Sequence, residues 1–398
     1  MGPGVDRLLG LFETGALVRP EAGAPNTIDL ARALAVIAGA PRFRDERGVE
    51  ALVSLIGAPR HLVFVLADGL GMSLVERLPP GAFLRRNLAL ELRAVFPSST
   101  APALTSLATG VWPAAHAALT WFTYLPEGGL TAVLLPFSDR SSRRDLTLCG
   151  LKPETVFPTS VLARLYRREY RAFQPRQIAD SVYTRYVHGG RKAAGYARLE
   201  HAINAVSAFI HASAGETYSY LYFPEVDAAG HEHGAESDEA WQQVLALDRE
   251  LERLRAAAGD DVRIVVSADH GQVSVPEADK HVLRDGDELE SMLRVWPPAG
   301  EPRLPSFHVR PGQRGRFQAA FRERFGDAFV LLSLDEAEAL QLYGPAILSP
   351  LARARAGDYV AIACGRGAIT YAGEPNVHAL KGMHGGLLPE EMLVPLVL

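Results

Sequence analysis

The sequence predicts an α/β fold, with a mainly parallel central sheet sandwiched by helices and a small α+β insert capping it. Three observations carry that expectation. Several apolar runs end abruptly in Asp- and Gly-containing turns, amphipathic stretches separate them, and the texture of the chain changes between residues 276 and 356. Residues 1–55 read as a helical lead-in, 56–275 and 357–398 as the core, and 276–356 as the insert. In the lead-in, Thr27 to Leu34 has helical spacing, with Asn26 or Thr27 placed to cap it. His61 to Ala67 is continuously apolar and runs into Asp68-Gly69, the pattern of a buried parallel strand followed by a tight turn. Val262–Ala268, before Asp269-His270-Gly271, and Tyr218–Phe223, before Pro224-Glu225-Val226-Asp227, repeat it. Leu393–Leu398 closes the chain as a strand whose Pro395 suits an edge or a bulge. Between them, Ala101–Thr109 and Trp241–Ala258 read as helices. In the insert, Leu304–Val309 and Ala328–Leu334 read as strands, and Gln313–Phe325 and Asp335–Leu342 as helices.

Composition narrows the function classes without supplying chemistry. The chain has 398 residues, 48% of them hydrophobic, enough for a large core without disulfide staples. Lysine plus arginine is 41 and aspartate plus glutamate is 46, so the net charge is −5, which argues against stable nucleic-acid binding. Cys149 and Cys364 form no CxxC pair. No basic segment followed by an apolar one opens the chain, and no run of about 18 apolar residues suggests a membrane span, so a cytoplasmic location is expected.

The chemistry-bearing residues fall just past strand ends, the edge of an open α/β sheet where ligands bind. They are Asp68, Asp227, His231, Asp269, His270 and, before the last strand, His384. Singly, each has a plain alternative: an Asp after a strand caps a helix, and a His among glycines sits in a surface loop. Together, three Asp and three His are enough for two sites of three ligands, with oxygen and nitrogen donors suited to a borderline dication such as zinc. A hydroxyl is available in Phe96-Pro97-Ser98-Ser99-Thr100. Thr100 opens a helix, where free backbone N–H groups favour an alkoxide and attract phosphate. Ser99 or Thr100 acting simply as the N-cap is the competing reading.

This ordered set resembles the alkaline phosphatase superfamily, in its type I phosphodiesterase and nucleotide pyrophosphatase branch. The residues that carry the resemblance are Val65-Leu66-Ala67-Asp68-Gly69, Phe96 to Thr100 with Pro102, and Leu107-Ala108-Thr109-Gly110. Asp227 with His231, Ser267 to Gly271, and Gly382-Met383-His384-Gly385-Gly386 complete it. It implies that Asp227, His231 and His384 hold one zinc, and that Asp68, Asp269 and His270 hold another together with the Thr100 oxygen. Thr100 would then be the nucleophile, passing through a covalent phospho-threonine to give net retention at phosphorus. Manganese or iron would also suit such donors. Much of the branch places an Asn against a phosphoryl oxygen; the stretch His116 to Phe122 has none, and Trp121 is the candidate replacement. The sulfatase signature is absent: Ser98 is followed by Thr100 and Pro102, not by Pro and Arg at those offsets.

The expected activity is metal-dependent hydrolysis of phosphodiester or pyrophosphate bonds in a small-molecule phosphate ester, nucleotide-type substrates included. Trp121, Phe122 and Tyr124 are candidates to stack a base, and Lys381 to meet an anionic group. His233 is a candidate assistant, and Tyr183, Tyr186, Arg185 and Arg191 could line an entrance. A phosphonate hydrolase or phosphomonoesterase with the same core is the nearest alternative. A noncatalytic phosphate-ligand binding protein is the rival from another class.

Overall fold

The computed structural model describes residues 2–40, 43 and 46–398. Two seven-stranded sheets organise them. In the central sheet His61–Ala67 lies at the middle, parallel to Thr217–Phe223 on one side and Val262–Ser267 on the other. Glu169–Pro175 extends it in parallel beyond Thr217–Phe223, and Ala194–Tyr196 forms that edge. All seven residues of His61–Ala67 are buried, which is why the strand reads as an unbroken apolar run.

The expectation of a mainly parallel sheet needs correcting in two respects. Leu393–Val397 runs antiparallel between Val262–Ser267 and the outermost Leu88–Arg93, so the central sheet is mixed. The second sheet, built from Phe122–Leu125, Leu130–Val133, Ser138–Asp139, Ala299–Glu301, Leu304–Phe307, Phe329–Ser333 and Tyr359–Ala363, is antiparallel throughout. It draws strands from both sides of the 276–356 stretch. Pro395 does not sit on an edge strand. The register shifts beside it, and on its inner flank only Val397 pairs, with Val266, so the missing proline N–H breaks no ladder bond there.

The helices pack as their apolar faces require. Thr27–Ile37 starts at Asn26, whose side chain accepts from the Asp29 N–H, and buries Leu30, Ala31 and Leu34 against the central core. Asp238–Ala257 buries Val244, Leu247, Leu251 and Leu254 in the same core. Pro3–Glu13 instead places Val5 and Leu8 with Val330 and Leu332 of the second sheet. No helix among the described residues is long and apolar enough to cross a membrane.

One buried histidine between the layers sets a pH response. The Ala118 N–H donates to His116 Nδ1 at 3.1 Å, so that nitrogen is unprotonated, and Nε2 donates to Ser106 Oγ at 2.9 Å. Burial pulls the His116 pKa down to about 3. The unfolded chain therefore binds a proton that the native state refuses between about pH 6.5 and pH 3. The stability due to this group is complete above pH 6.5 and is lost as pH falls. At pH 5 the loss is about 2 kcal/mol. Urea midpoints measured at pH 7.5 and pH 5 should fall more steeply for the native chain than for His116→Asn; equal slopes would remove His116 from the account.

Candidate active site

The parallel strands deliver the acidic residues to one edge. Asp68 follows His61–Ala67 directly, and its N–H bonds the Phe223 carbonyl at 2.9 Å. The Asp68 carbonyl in turn accepts from the Asp227 N–H at 3.1 Å, so two strand ends are locked side by side. This approach needs Gly69: at φ +73° a Cβ there would stand 2.8 Å from the Asp227 Cα. On the other side, a Cβ on Gly271 would reach within 2.0 Å of the Glu390 carbonyl. His384 arrives on the loop after Gly382–Met383, which pairs antiparallel with Val273–Ser274.

The expected residues converge. Donor atoms of Asp68, Asp269 and His270 lie within 4.8 Å of one another, as do those of Asp227, His270 and His384. His270 thus belongs to both clusters, and its ring stacks on that of His384 with centroids 3.9 Å apart. Its Nδ1 bonds the Gly271 carbonyl at 3.1 Å, leaving Nε2 to face Asp68 Oδ1 (3.5 Å), Asp269 Oδ2 (3.4 Å) and Thr100 Oγ1 (3.1 Å). His231 repeats the device: Nδ1 bonds the Gly382 carbonyl at 2.8 Å and Nε2 stands 3.2 Å from Asp227 Oδ2. A carbonyl holding one ring nitrogen while the other presents its lone pair is the usual support of a metal-ligating histidine. Tyr222 donates to Asp68 Oδ2, and Gln272 to Asp227 Oδ1 at 2.8 Å.

The electrostatics call for positive charge. Burial, then Asp269 and Asp227, push the Asp68 carboxyl well above its usual range, and burial raises Asp269 too. Burial also acts on Asp227, but His231 and His384 outweigh it and hold that carboxyl low. Burial pulls His231 down, yet Asp227 beside it leaves the imidazole raised to about 9. Asp68 Oδ1 and Asp269 Oδ2 are buried and make no hydrogen bond. Orphaned carboxylate oxygens beside imidazole nitrogens are a donor set that fits divalent cations.

Thr100 opens the Thr100–Thr109 helix. Ser99 occupies the N-cap position, but its side chain makes no capping bond. It donates instead to Glu301 Oε1 at 2.5 Å, while Pro102 contributes no N–H, so the Thr100 and Ala101 amides stay open beside the Thr100 hydroxyl. Glu301 was not among the expected residues. It also accepts from the Trp121 N–H at 2.6 Å, and burial raises its carboxyl to about 7. Nothing local marks it, because its placement depends on the turn between Ala299–Glu301 and Leu304–Phe307 reaching across from the second sheet.

Two cavities meet at Thr100, Trp121 and Asp227. The smaller, about 250 Å³, includes His231, His384 and Glu301; the larger, about 600 Å³, extends past Asp68 and Tyr222. Other expected residues fall elsewhere. The Lys381 side chain is exposed and lines neither cavity, its backbone bonding His231 and Val275. His233 pairs with Glu232, Tyr124 packs edge-on against His308, and Arg185 pairs with Asp180. Tyr186 bonds the Thr159 carbonyl and Arg191 those of Ala163 and His188. Phe122 lines the smaller cavity and Tyr183 the larger.

Residues 62–387 match the type I phosphodiesterase / nucleotide pyrophosphatase family. The chain therefore belongs to that family, within the alkaline phosphatase superfamily, and is a hydrolase acting on phosphoesters. Among solved structures it is similar to murine ectonucleotide pyrophosphatase / phosphodiesterase 5, with TM-score 0.64, 16% identity, and 84% of this chain and 87% of that one covered. It is similar also to phosphonoacetate hydrolase from Sinorhizobium meliloti, with TM-score 0.62, 18% identity, and 85% and 90% covered. No curated protein matches it.

A buried ion pair holds the His384 loop. Arg303 Nε and Nη2 bond Glu391 Oε1 and Oε2 at 2.6 and 2.9 Å, with both side chains fully buried. Glu391 in turn accepts from the Gly386 and Leu388 N–H groups, and its carbonyl from that of Gly271. Arg303→Leu strands a buried carboxylate and should cost about 3–5 kcal/mol. Because Glu391 holds the His384 loop by its carboxylate and the His270 loop by its backbone carbonyl, affinity for a divalent cation measured by competition with a chelator should weaken as well. Unchanged affinity in a folded variant would show that the loops hold without the pair.

Proposed function

We propose that this chain hydrolyses small-molecule phosphodiesters or pyrophosphates through Thr100. The observation that carries the proposal is the Thr100 hydroxyl at a helix N-terminus, 3.1 Å from a histidine shared by two buried carboxylate–imidazole clusters. Asp227, His231 and His384 would hold one divalent cation. Asp68, Asp269 and His270, with the Thr100 oxygen, would hold the second; zinc suits the donors best, and manganese or iron also fit. When bound, the two cations would acidify the hydroxyl and neutralise charge on the phosphoryl and leaving oxygens.

The chain's own groups do the rest. Thr100 Oγ1 gives up its proton to solvent and bonds phosphorus, the bond from phosphorus to the leaving oxygen breaks, and that oxygen departs with the electron pair and takes up a proton. The open Thr100 and Ala101 amides meet the equatorial oxygens. Water then attacks the phospho-threonine from the vacated side and the Thr100–phosphorus bond breaks, the hydroxyl regaining a proton. Two in-line displacements give retention.

The preference for diesters rests on the walls. The larger cavity beside Thr100 offers room for the second substituent of a diester, whereas the smaller is lined by Asp227, His231 and His384, which would hold a cation; among the described residues no lysine or arginine lines either to meet a substrate carboxylate. The chain stripped of metal and reloaded with zinc should turn over bis-p-nitrophenyl phosphate with kcat/KM well above that for p-nitrophenyl phosphate. Phosphonoacetate should be a poor substrate. Thr100→Ala, with metal content confirmed, should lose on the order of 10³-fold or more in kcat. Dominant monoester or phosphonate turnover would overturn the diester assignment.

A further inference from the structure

The larger cavity is more than a rim to the reacting hydroxyl. From Asp68, Thr100 and Asp227 it runs past Leu104 and Leu107 of the Thr100–Thr109 helix to Ala31 and Leu34 of Thr27–Ile37. Its floor is the central sheet, at Phe64, Tyr218 and Tyr220. Protein interiors leave few voids larger than a water molecule, and about 600 Å³ is the scale of a site that engulfs a drug-sized group.

The walls define what fits. Among the described residues, Asp68 and Asp227, at the reacting end, are the only acidic ones on them, and no lysine or arginine lines the chamber to compensate a second phosphate. Most polar wall groups are already spent on one another. Gln174 accepts from Thr184 Oγ1 at 3.0 Å and bonds His188 Nε2 at 2.8 Å, and His188 Nδ1 bonds the Tyr170 hydroxyl at 2.7 Å. Tyr183 bonds Thr105, and Tyr222 bonds Asp68. Burial pulls His188 down to about 3, so it brings no charge. Tyr166, Tyr170 and Tyr218 pack edge-on or tilted with centroids 5.2–5.3 Å apart, a smooth aromatic wall. Gln177 and the Trp121 indole N–H make no hydrogen bond among the described residues, so the polar groups left open on the wall are uncharged. The hydroxyls of Tyr166, Tyr218 and Tyr220 have no partner among the described residues, which leaves room for an ether or hydroxyl oxygen.

We infer that this chamber binds an uncharged, mainly hydrocarbon alcohol half of the substrate, so that the chain acts on lipophilic phosphodiesters. The inference rests on the phosphodiesterase reading above. It is tested on the zinc-loaded chain with three p-nitrophenyl phosphodiesters whose second substituent is methyl, octyl or 5′-thymidyl. The octyl ester should exceed both others in kcat/KM by at least about tenfold. Ala108→Phe, which narrows the chamber, should cut the octyl-to-methyl ratio by about tenfold or more. Calorimetric titration with 1-octanol, which carries no phosphate, should show one saturable site with a negative heat-capacity change in the unaltered protein. That readout stands whether or not the variant folds. Equal turnover of methyl and octyl esters without octanol binding overturns the chamber's role and leaves the hydrolase reading intact. A thymidyl ester preferred over octyl also overturns it, with a nucleoside as occupant. Octanol binding without turnover of any ester supports the chamber and overturns the phosphodiesterase reading instead.

Discussion

The structure depends on one constraint: three carboxylates, Asp68, Asp227 and Asp269, are brought together at the end of a buried sheet where water cannot stabilise their charge. Burying anions is costly unless they are paired or ligate a cation. The surroundings are arranged around that cost. Tyr222 and Gln272 each satisfy one oxygen, His231 and His384 hold Asp227 ionised, and two carboxylate oxygens are left open toward His270. A sheet meant only to be stable would bury apolar residues at these positions.

The second sheet supplies the restraint that this clustering requires. A single turn, from Glu301 to Leu304, reaches into the site from the antiparallel layer. Glu301 draws Ser99 away from capping its own helix and pins the Trp121 backbone. Two residues on, Arg303 pairs with Glu391, which holds the loop after His384 and, through its carbonyl, the loop after His270. The helix start at Thr100, the histidine loops and the Trp121 backbone are therefore positioned by one short segment. A buried ion pair is weak evidence for added stability, but it sets loop position well because either charge alone is so unfavourable.

How much of this was legible in the sequence follows from how local each signal is. Strand His61–Ala67 is buried on both faces, so it is written as an apolar run, and the Asp-Gly that ends it marks the site edge. The metal-ligand candidates were recognisable because each sits beside a glycine or just past a strand end, and the structure brings the six together beside Thr100. Strand direction was not legible: Leu393–Val397 has the same apolar texture as its parallel neighbours, yet runs antiparallel because it arrives from the His384 loop rather than through a crossover helix. The second sheet was split in the sequence among segments far apart, and Glu301 looks there like any surface acid. Lys381 illustrates the converse error, since proximity in sequence to His384 did not carry its side chain into either cavity.

If Thr100 is the reacting hydroxyl, the walls beside it would decide which ester it accepts. Cations bound by the carboxylates and imidazoles would neutralise the phosphoryl group, and the helix amides would meet its oxygens. None of that distinguishes a monoester from a diester or one alcohol from another. Discrimination has to come from the walls, where a missing lysine or arginine matters as much as a present tyrosine. An anionic substituent entering the larger chamber would shed its water and find no counter-charge among the described residues, whereas a hydrocarbon one would lose only unfavourable contact with water. Because Thr100, Trp121 and Asp227 line the larger chamber, a substituent seated there would bear directly on the alignment of phosphorus with the Thr100 hydroxyl. Binding energy gained far from the reacting atoms is thereby available to orient them.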